Sequence, residues 1–329
     1  MMRVETIPPR RCLIDITNAE DSVTAVPDPD DQTFSAIESA AREFIVAAGK
    51  IVTEKRANLK VDYKDARQAD PVTEVDRAVE AYLTGEVAAR FPGHAVLGEE
   101  GQNPEGTHEF EWIIDPVDGT LNYVTGLPLY AISIGVLFRR RPVVGVILFP
   151  TTGEMLWARR GGGAYRDGAP IHVRSKPEGK RGAIVALPVG YQGAFTTSKK
   201  LRAGIGETRS LGSIAYEMGV VAAGTLDLAA FRGPKIWDVA GSAPIVTEAG
   251  GQVLIHSKRL AQWHPLERFD PPPRGALRAW SRPVLVGAPH AVETLGAHLQ
   301  PRYAPALLVA ATAGLQAAKR GYTSARAVR

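Results

Sequence analysis

Between Glu111 and Thr125 the sequence reads Glu-Trp-Ile-Ile-Asp-Pro-Val-Asp-Gly-Thr-Leu-Asn-Tyr-Val-Thr. The apolar run Trp112-Ile113-Ile114 has the character of a buried strand near its end. Asp115-Pro116 should stop it, because proline has no N–H to give to a sheet ladder. Asp115 and Asp118 follow at a spacing of three, with Gly119-Thr120 directly behind. A turn there can bring the two carboxylates to one point. Converging carboxylates repel, and a hard divalent cation with oxygen ligands relieves them. The amides of Gly119 and Thr120 are then open to an anion's oxygens, above all if a helix starts there. The same residues also make good turn chemistry, with Pro second and Gly last, so this stretch alone leaves both readings open. Phosphatases with a nucleophilic Asp two residues before a second Asp are excluded, since that position is Pro116.

At 329 residues the chain has room for one large domain or two of moderate size. An apolar share of 45% and a charged share of 22% are those of a globular protein. No run of about eighteen apolar residues exists, so no span across a membrane is expected. No charged-then-apolar signal opens the chain, and Cys12 is its single cysteine. No intrachain disulfide can form, and a cytoplasmic location is expected. The net charge of +4 is unevenly placed: residues 1–32 carry three Arg against seven acids, whereas residues 271–329 carry seven Arg and Lys319 against Glu293. A solvated basic end accounts for this. No aromatic-interleaved basic stripe supports a nucleic-acid partner.

Residues 1–32 lack periodicity and read as a disordered leader. Phe34, Ile37, Ala40-Ala41, Phe44-Ile45 and Ala48 recur at helical spacing, predicting a helix over 33–57. Residues 58–70 are polar and read as a loop. Thr73 or Asp70 can cap a second helix with an apolar face of Val75, Val79 and Leu83, and Asp76 falls in its first turn, where the macrodipole favours a carboxylate. Residues 94–97 read as a short strand ending in Gly98-Glu99-Glu100-Gly101, with His94 at the surface. Glu99 faces the same place as Asp115 if the two strands are neighbours, and is otherwise a solvated loop acid. Residues 130–138, 142–149, 154–160, 163–165 and 171–174 read as an antiparallel sheet. From 183 strands and helices alternate. Gly212 and Ser213 stand at the mouth of a helix over 214–224. Pro234 and Asp238 mark the start of another, ended by Gly250-Gly251. Asp238 is there either an N-cap or a rigidly held metal ligand. Strands at 252–256 and 283–287 flank a Pro- and Arg-rich loop, and 290–299 and 304–319 read as terminal helices. The expected organisation is thus a leader (1–32), an N-terminal α+β half (33–180), a C-terminal α/β half (181–300) and a basic helical tail (301–329).

Taken together, Asp76, Gly98-Glu99-Glu100, Asp115 through Tyr123, Trp237-Asp238-Val239-Ala240-Gly241 and Thr247 through Gly251 resemble the inositol monophosphatase family over roughly residues 33–300. Several motifs in the right order carry far more weight than one. The resemblance implies an α/β fold of alternating layers of helices and mixed sheets. It implies Glu99, Asp115, Asp118 and Asp238 as Mg²⁺ ligands with the carbonyl of Val117. It implies Thr120 and Asp76 as residues that orient an attacking water, Glu99 as a further catalytic residue, and Gly119, Thr120, Gly212 and Ser213 as substrate contacts. The activity implied is Mg²⁺-dependent, Li⁺-sensitive hydrolysis of a small phosphorylated polyol or sugar, most simply an inositol-1-monophosphate-like one, by a homodimer. An acid-rich, His-poor ligand set suits Mg²⁺, and metal-activated water removes the need for a Ser–His or Cys–His nucleophile. Asn122-Tyr123 resembles the inositol branch. Phe231, however, stands where many members carry Glu, and Lys235 where His is frequent, so histidinol phosphate or a 3′-phosphorylated nucleotide stays open. From a different class, the basic tail could serve an interaction protein.

Overall fold

The computed structural model describes residues 29–56, 61–63, 71–101, 108–175, 182–273 and 275–303. Most of the expected leader, most of the 58–70 loop and the helix expected at 304–319 lie outside the described residues.

The first described helix is α1 (Asp31–Lys55), whose start is set by Asp30: its carboxylate accepts the Thr33 N–H at 2.9 Å. Then come β1 (Val61–Tyr63), a strand within the expected loop, its antiparallel partner β2 (Pro71–Thr73), and α2 (Glu74–Arg90). A seven-stranded sheet follows in sequence order: β3 (Ala95–Gly98), β4 (Phe110–Asp118), β5 (Ala131–Phe138), β6 (Arg141–Phe149), β7 (Glu154–Arg159), β8 (Ala164–Arg166) and β9 (Ala169–Pro170). Helix α3 (Thr120–Thr125) lies between β4 and β5. Only β3 and β4 run parallel; the later pairs are antiparallel. Residues 171–174, expected as a strand, form no ladder. Ile171 N–H goes to Ala164 and Val173 N–H to Ala249, one bond to each side.

The second half gives β10 (Ala183–Ala186), α4 (Tyr191–Ala194), β11 (Phe195–Thr197), α5 (Lys199–Gly204), β12 (Ile205–Arg209), α6 (Ile214–Ala222), β13 (Leu228–Phe231), α7 (Ile236–Ala240), α8 (Ser242–Glu248), β14 (Gln252–Ser257), β15 (Gln262–Pro265), β16 (Val284–Gly287), α9 (Pro289–Thr294) and β17 (Leu299–Pro301). Its main sheet has the order β12-β10-β13-β16-β14-β15, with parallel pairs only around β10. The loop expected over 258–282 thus contains an edge strand, β15, and a 3₁₀ turn at Leu277–Ala279. The segment expected as one helix from Asp238 to Gly250 is divided into α7 and α8 at Gly241.

The layers follow from which faces are apolar. Phe34, Ile37, Phe44 and Ile45 of α1 and Val75, Val79 and Leu83 of α2 pack on Trp112, Ile132, Ile134 and Val146 of the first sheet. The sheet's other face meets α6, α7 and α8, which in turn pack under β13, β14 and β16 through Met218, Val221, Ile245, Val253 and Val286. Leu201, Ala291 and Leu295 cover the far side of the second sheet. The result is helices, sheet, helices, sheet, helices: the alternating α/β layering with mixed sheets that the resemblance implies.

Two glycines set the distance between the first sheet and the central helices. Gly135 and Gly145 sit opposite each other on β5 and β6. An added Cβ at Gly135 would stand 2.7 Å from Ala240 Cβ, and one at Gly145 would run into the Gly241 carbonyl. The α7–α8 junction therefore lies directly on the sheet backbone, one turn from Asp238.

Candidate metal centre and active site

The acidic pair on β4 owes its geometry to a bulge. Asp115 is opposite Ser133 and Asp118 opposite Ala131, so three steps on β4 match two on β5. In a regular strand, residues three apart point to opposite faces. Here the extra residue resets the alternation. Trp112, Ile114 and Val117 face α1 and α2, while Ile113 faces the central helices and Asp118 bonds to α6. Pro116 sits in the bulge, where a ladder N–H is not required. The strand consequently continues through Asp115-Pro116 rather than stopping there.

Asp238 arrives from the other side of the interface, in the first turn of α7. It is not the N-cap, which is Lys235; its carboxylate instead accepts the Lys235 N–H at 2.7 Å. Among the described residues, Asp115, Asp118 and Asp238 each place one carboxylate oxygen within 4.8 Å of the others'. Glu99 follows β3, whose last residue Gly98 is level with Ile114. Its charge acts on both Asp115 and Asp238.

Each carboxylate is oriented before any ligand arrives. Asp118 accepts from Ser213 Oγ and from the Ala215 N–H, the latter at 2.7 Å, both at the start of α6. Asp115 accepts the Val117 N–H at 3.2 Å. Asp76 takes the N–H and hydroxyl of Thr73, at 2.8 and 2.5 Å, in a capping box at the start of α2. The Thr120 hydroxyl donates to the Val117 carbonyl at 2.9 Å.

Burial without a cation makes this cluster electrostatically unfavourable. Asp115 is pushed well above the usual carboxylate range by loss of solvent, then by the charges of Glu99, Asp118, Asp238 and Asp76. Asp238 is raised for the same reason, burial first and Asp118 next. Burial raises Asp118 to about 6, although Ser213 and three backbone amides counteract it. Asp76 is also raised, chiefly by burial. A set of oxygen donors with no imidazole or thiolate, largely buried and mutually repelling, fits a hard divalent cation.

The neighbouring wall gathers the other expected residues. Gly119 has φ 89°, and a Cβ there would lie 2.9 Å from Ser213 Cβ and 3.2 Å from the Gly212 carbonyl. Gly119, Thr120, Gly212 and Ser213 therefore form one surface beside the acids. Asn122 Nδ2 fastens it, donating to the carbonyls of Leu129 and Leu211 at 2.6 Å each, and Tyr123 OH ties α3 to the Val52 carbonyl of α1 at 2.8 Å. Two further supporting residues escaped the sequence reading. Glu217, raised by burial to about 7, accepts the N–H groups of Leu211 and Gly212. Arg278 bonds to the carbonyls of Gly98 and Glu99. An acid inside the apolar helix Ile214–Ala222 and an Arg between Leu277 and Trp280 were the available signals. His94, expected at the surface, is instead half-buried: it stacks between Phe91 and Phe110 and accepts from Trp112 Nε1 at 3.0 Å.

The sequence profile of the Inositol monophosphatase family matches residues 34–288. Inositol monophosphatase 3 of Solanum lycopersicum is 38% identical over 234 residues, covering 67% of this chain and 84% of that protein. A histidinol-phosphatase of Chlorobaculum parvum is 34% identical over 215 residues, covering 64% and 82%. The crystal structure of the extragenic suppressor protein suhB from Bartonella henselae superimposes with a TM-score of 0.67 at 26% identity, covering 80% of this chain and 98% of that one. With the layered fold and the acidic cluster in place, the chain belongs to the inositol monophosphatase family, whose members are metal-dependent phosphoric monoester hydrolases acting on small phosphorylated substrates.

Proposed function

We propose that the protein is a Mg²⁺-dependent phosphomonoesterase whose substrate is a small phosphorylated polyol or sugar of the inositol-1-monophosphate kind. The observation that carries this reading is the convergence of Asp115, Asp118 and Asp238 from two distant segments into one largely buried oxygen-donor cluster. Glu99, Asp115, Asp118, Asp238 and the Val117 carbonyl would hold the metal. When bound, Mg²⁺ supplies Lewis acidity toward the phosphoryl oxygens and lowers the cost of deprotonating water. Thr120 Oγ1 and the Asp76 carboxylate orient the water for in-line attack; Asp76, already raised by burial, receives the proton more readily than a solvated acid. Gly119, Thr120, Gly212 and Ser213 line the place of the phosphate and its alcohol. Li⁺ inhibition follows if the cation competes at this oxygen-rich set.

Release of phosphate from inositol 1-phosphate, histidinol phosphate and 3′-phosphoadenosine 5′-phosphate, with Mg²⁺ and with chelator, tests the reading. Mg²⁺-dependent turnover, fastest on the first substrate, is expected. Equal rates with metal and with chelator reject the mechanism, and preference for histidinol phosphate reassigns the substrate. Asp115→Asn and Asp238→Asn should each lower turnover by about a hundred- to a thousandfold, the scale of losing a preorganised electrostatic contact. Their melting temperature in chelator should hold or rise, because each removes a repelling buried charge.

A further inference from the structure

The backbone that carries Glu99 leaves the sheet at Gly98 and is held from two sides. On one side Glu80 accepts the Glu100 N–H at 2.8 Å. On the other, Arg278 Nη1 donates to the Gly98 carbonyl at 2.6 Å and Nη2 donates to the Glu99 carbonyl. The same guanidinium lies over the indole of Trp237, its Cζ 5.0 Å from the ring centre. Trp237 immediately precedes Asp238. One half-buried cation thus spans the two segments that bring Glu99 and Asp238 to the acidic cluster, from a position 180 residues beyond Gly98. Its own position is fixed by the 3₁₀ turn Leu277–Ala279, anchored by buried Leu277 and Trp280, with Trp280 edge-on to Phe269.

We propose that Arg278 is a positioning residue for the metal centre: by clamping two carbonyls and stacking on Trp237, it sets Glu99 relative to Asp238. This rests on the reading that these acids hold a divalent cation. The planar guanidinium offers two parallel donors and an aromatic-stacking face at once; an ammonium on a flexible stem offers neither. Its positive charge also acts on Glu80, the acid that holds the same turn from the other side.

The test compares wild type with Arg278→Lys and Arg278→Ala. Mn²⁺ binding is read by paramagnetic resonance and by calorimetry, and the Mg²⁺ dependence of turnover is measured alongside. Outer groups that orient metal ligands govern about 10–100-fold in metal affinity. Both variants should therefore weaken Mn²⁺ binding and raise the half-saturating Mg²⁺ by at least about tenfold, with kcat at saturating Mg²⁺ changed far less. Added guanidinium ion should restore binding in Arg278→Ala and not in Arg278→Lys. A melting temperature that falls while the Mn²⁺ affinity of the folded variants stays at the wild-type value would make Arg278 a packing residue and overturn the proposal. Should Arg278→Ala not fold, an unchanged affinity in Arg278→Lys overturns it equally. If wild type itself binds no Mn²⁺, the metal-site reading has failed, and that result is distinct from a variant-specific loss.

Discussion

At the scale of single residues, Asp118 shows how the site is prepared. Its carboxylate is buried, which raises its pKa to about 6, while Ser213, Ala215 and two further amides of α6 pull it down. Hydrogen bonds to a charged group contribute about 1.5–3 kcal/mol, so Ser213 contributes substantially to keeping Asp118 ionised near neutrality. Ser213→Ala removes that donor and the cap of α6. We expect a stability loss of roughly 2 kcal/mol from the two effects together. Asp118 should then titrate at higher pH, and because a ligand must be deprotonated to bind, metal affinity should drop more at pH 6 than at pH 8. Calorimetric metal titrations at the two pH values check this; an equal drop at both would show that Ser213 acts on geometry alone. Glu99 stood out as an acid between glycines at the end of an apolar strand, and Asp115 and Asp118 as a closely spaced pair, whereas Asp76 and Asp238 read equally well as helix-start carboxylates until the motifs were taken together as a resemblance. Ser213 was legible as a helix start and, through the resemblance, as a substrate contact, but not as the donor to Asp118, and Asn122, Glu217 and Arg278 were not legible as supports, since each bonds to backbone atoms. Such partners leave no mark in a linear pattern: Asn122 reaches a carbonyl 89 residues away and Arg278 one 180 residues away.

At the scale of elements, two features put the acids within reach of one another. The β4 bulge turns Asp115 and Asp118 to the same face, and the Gly135–Gly145 pair lets the α7–α8 junction settle onto that face. Periodicity revealed α1 and α2 well, because an amphipathic stripe is a local property. It could not reveal the bulge, which is a matter of register with β5, nor β15, whose strand character comes from pairing with β14. Nor could it tell that 171–174 would bond singly to two different neighbours. The glycine pair yields a prediction that belongs to this scale. Gly145→Val drives a side chain into the Gly241 carbonyl, and α7 has to lift. Overpacking of this kind costs about 1–3 kcal/mol or more. It should also move Asp238 away from Asp115, weakening metal binding by about tenfold or more, on the scale seen when ligand support is lost. Thermal unfolding and Mn²⁺ binding measured on the same sample check both parts. Destabilisation with unchanged Mn²⁺ affinity would mean that α7 keeps Asp238 in place independently of the sheet.

At the scale of the whole molecule, the acidic cluster lies between the first sheet and the helices that connect it to the second, so its charge state bears on cohesion of the layers. The folded-state pKa values of Asp115, Asp118 and Asp238 are all raised above the ordinary carboxylate value. For a raised carboxylate the folded state holds more protons than the unfolded chain. The stability from these groups is therefore present below the unfolded pKa near 3.8 and is lost as pH rises through the folded value, about 6 for Asp118. In chelator, the contribution of this cluster to the melting temperature should accordingly decline from about pH 4 to pH 7. Saturating divalent cation binds only the folded, ionised cluster, so it should reverse that trend, and at a hundredfold excess over Kd it adds about 2.7 kcal/mol. For a chain of this size that is a rise on the order of 5 °C. The gain should be larger at pH 7 than at pH 5, where protons compete for the same oxygens. Melting curves with Mg²⁺ or chelator across this range decide the matter: a cation-induced shift that is absent, or independent of pH, would mean that the carboxylates do not act together as the binding set. Asp238→Asn supplies the internal comparison, since with one repelling acid removed the decline in chelator should flatten and the cation-induced gain should shrink together.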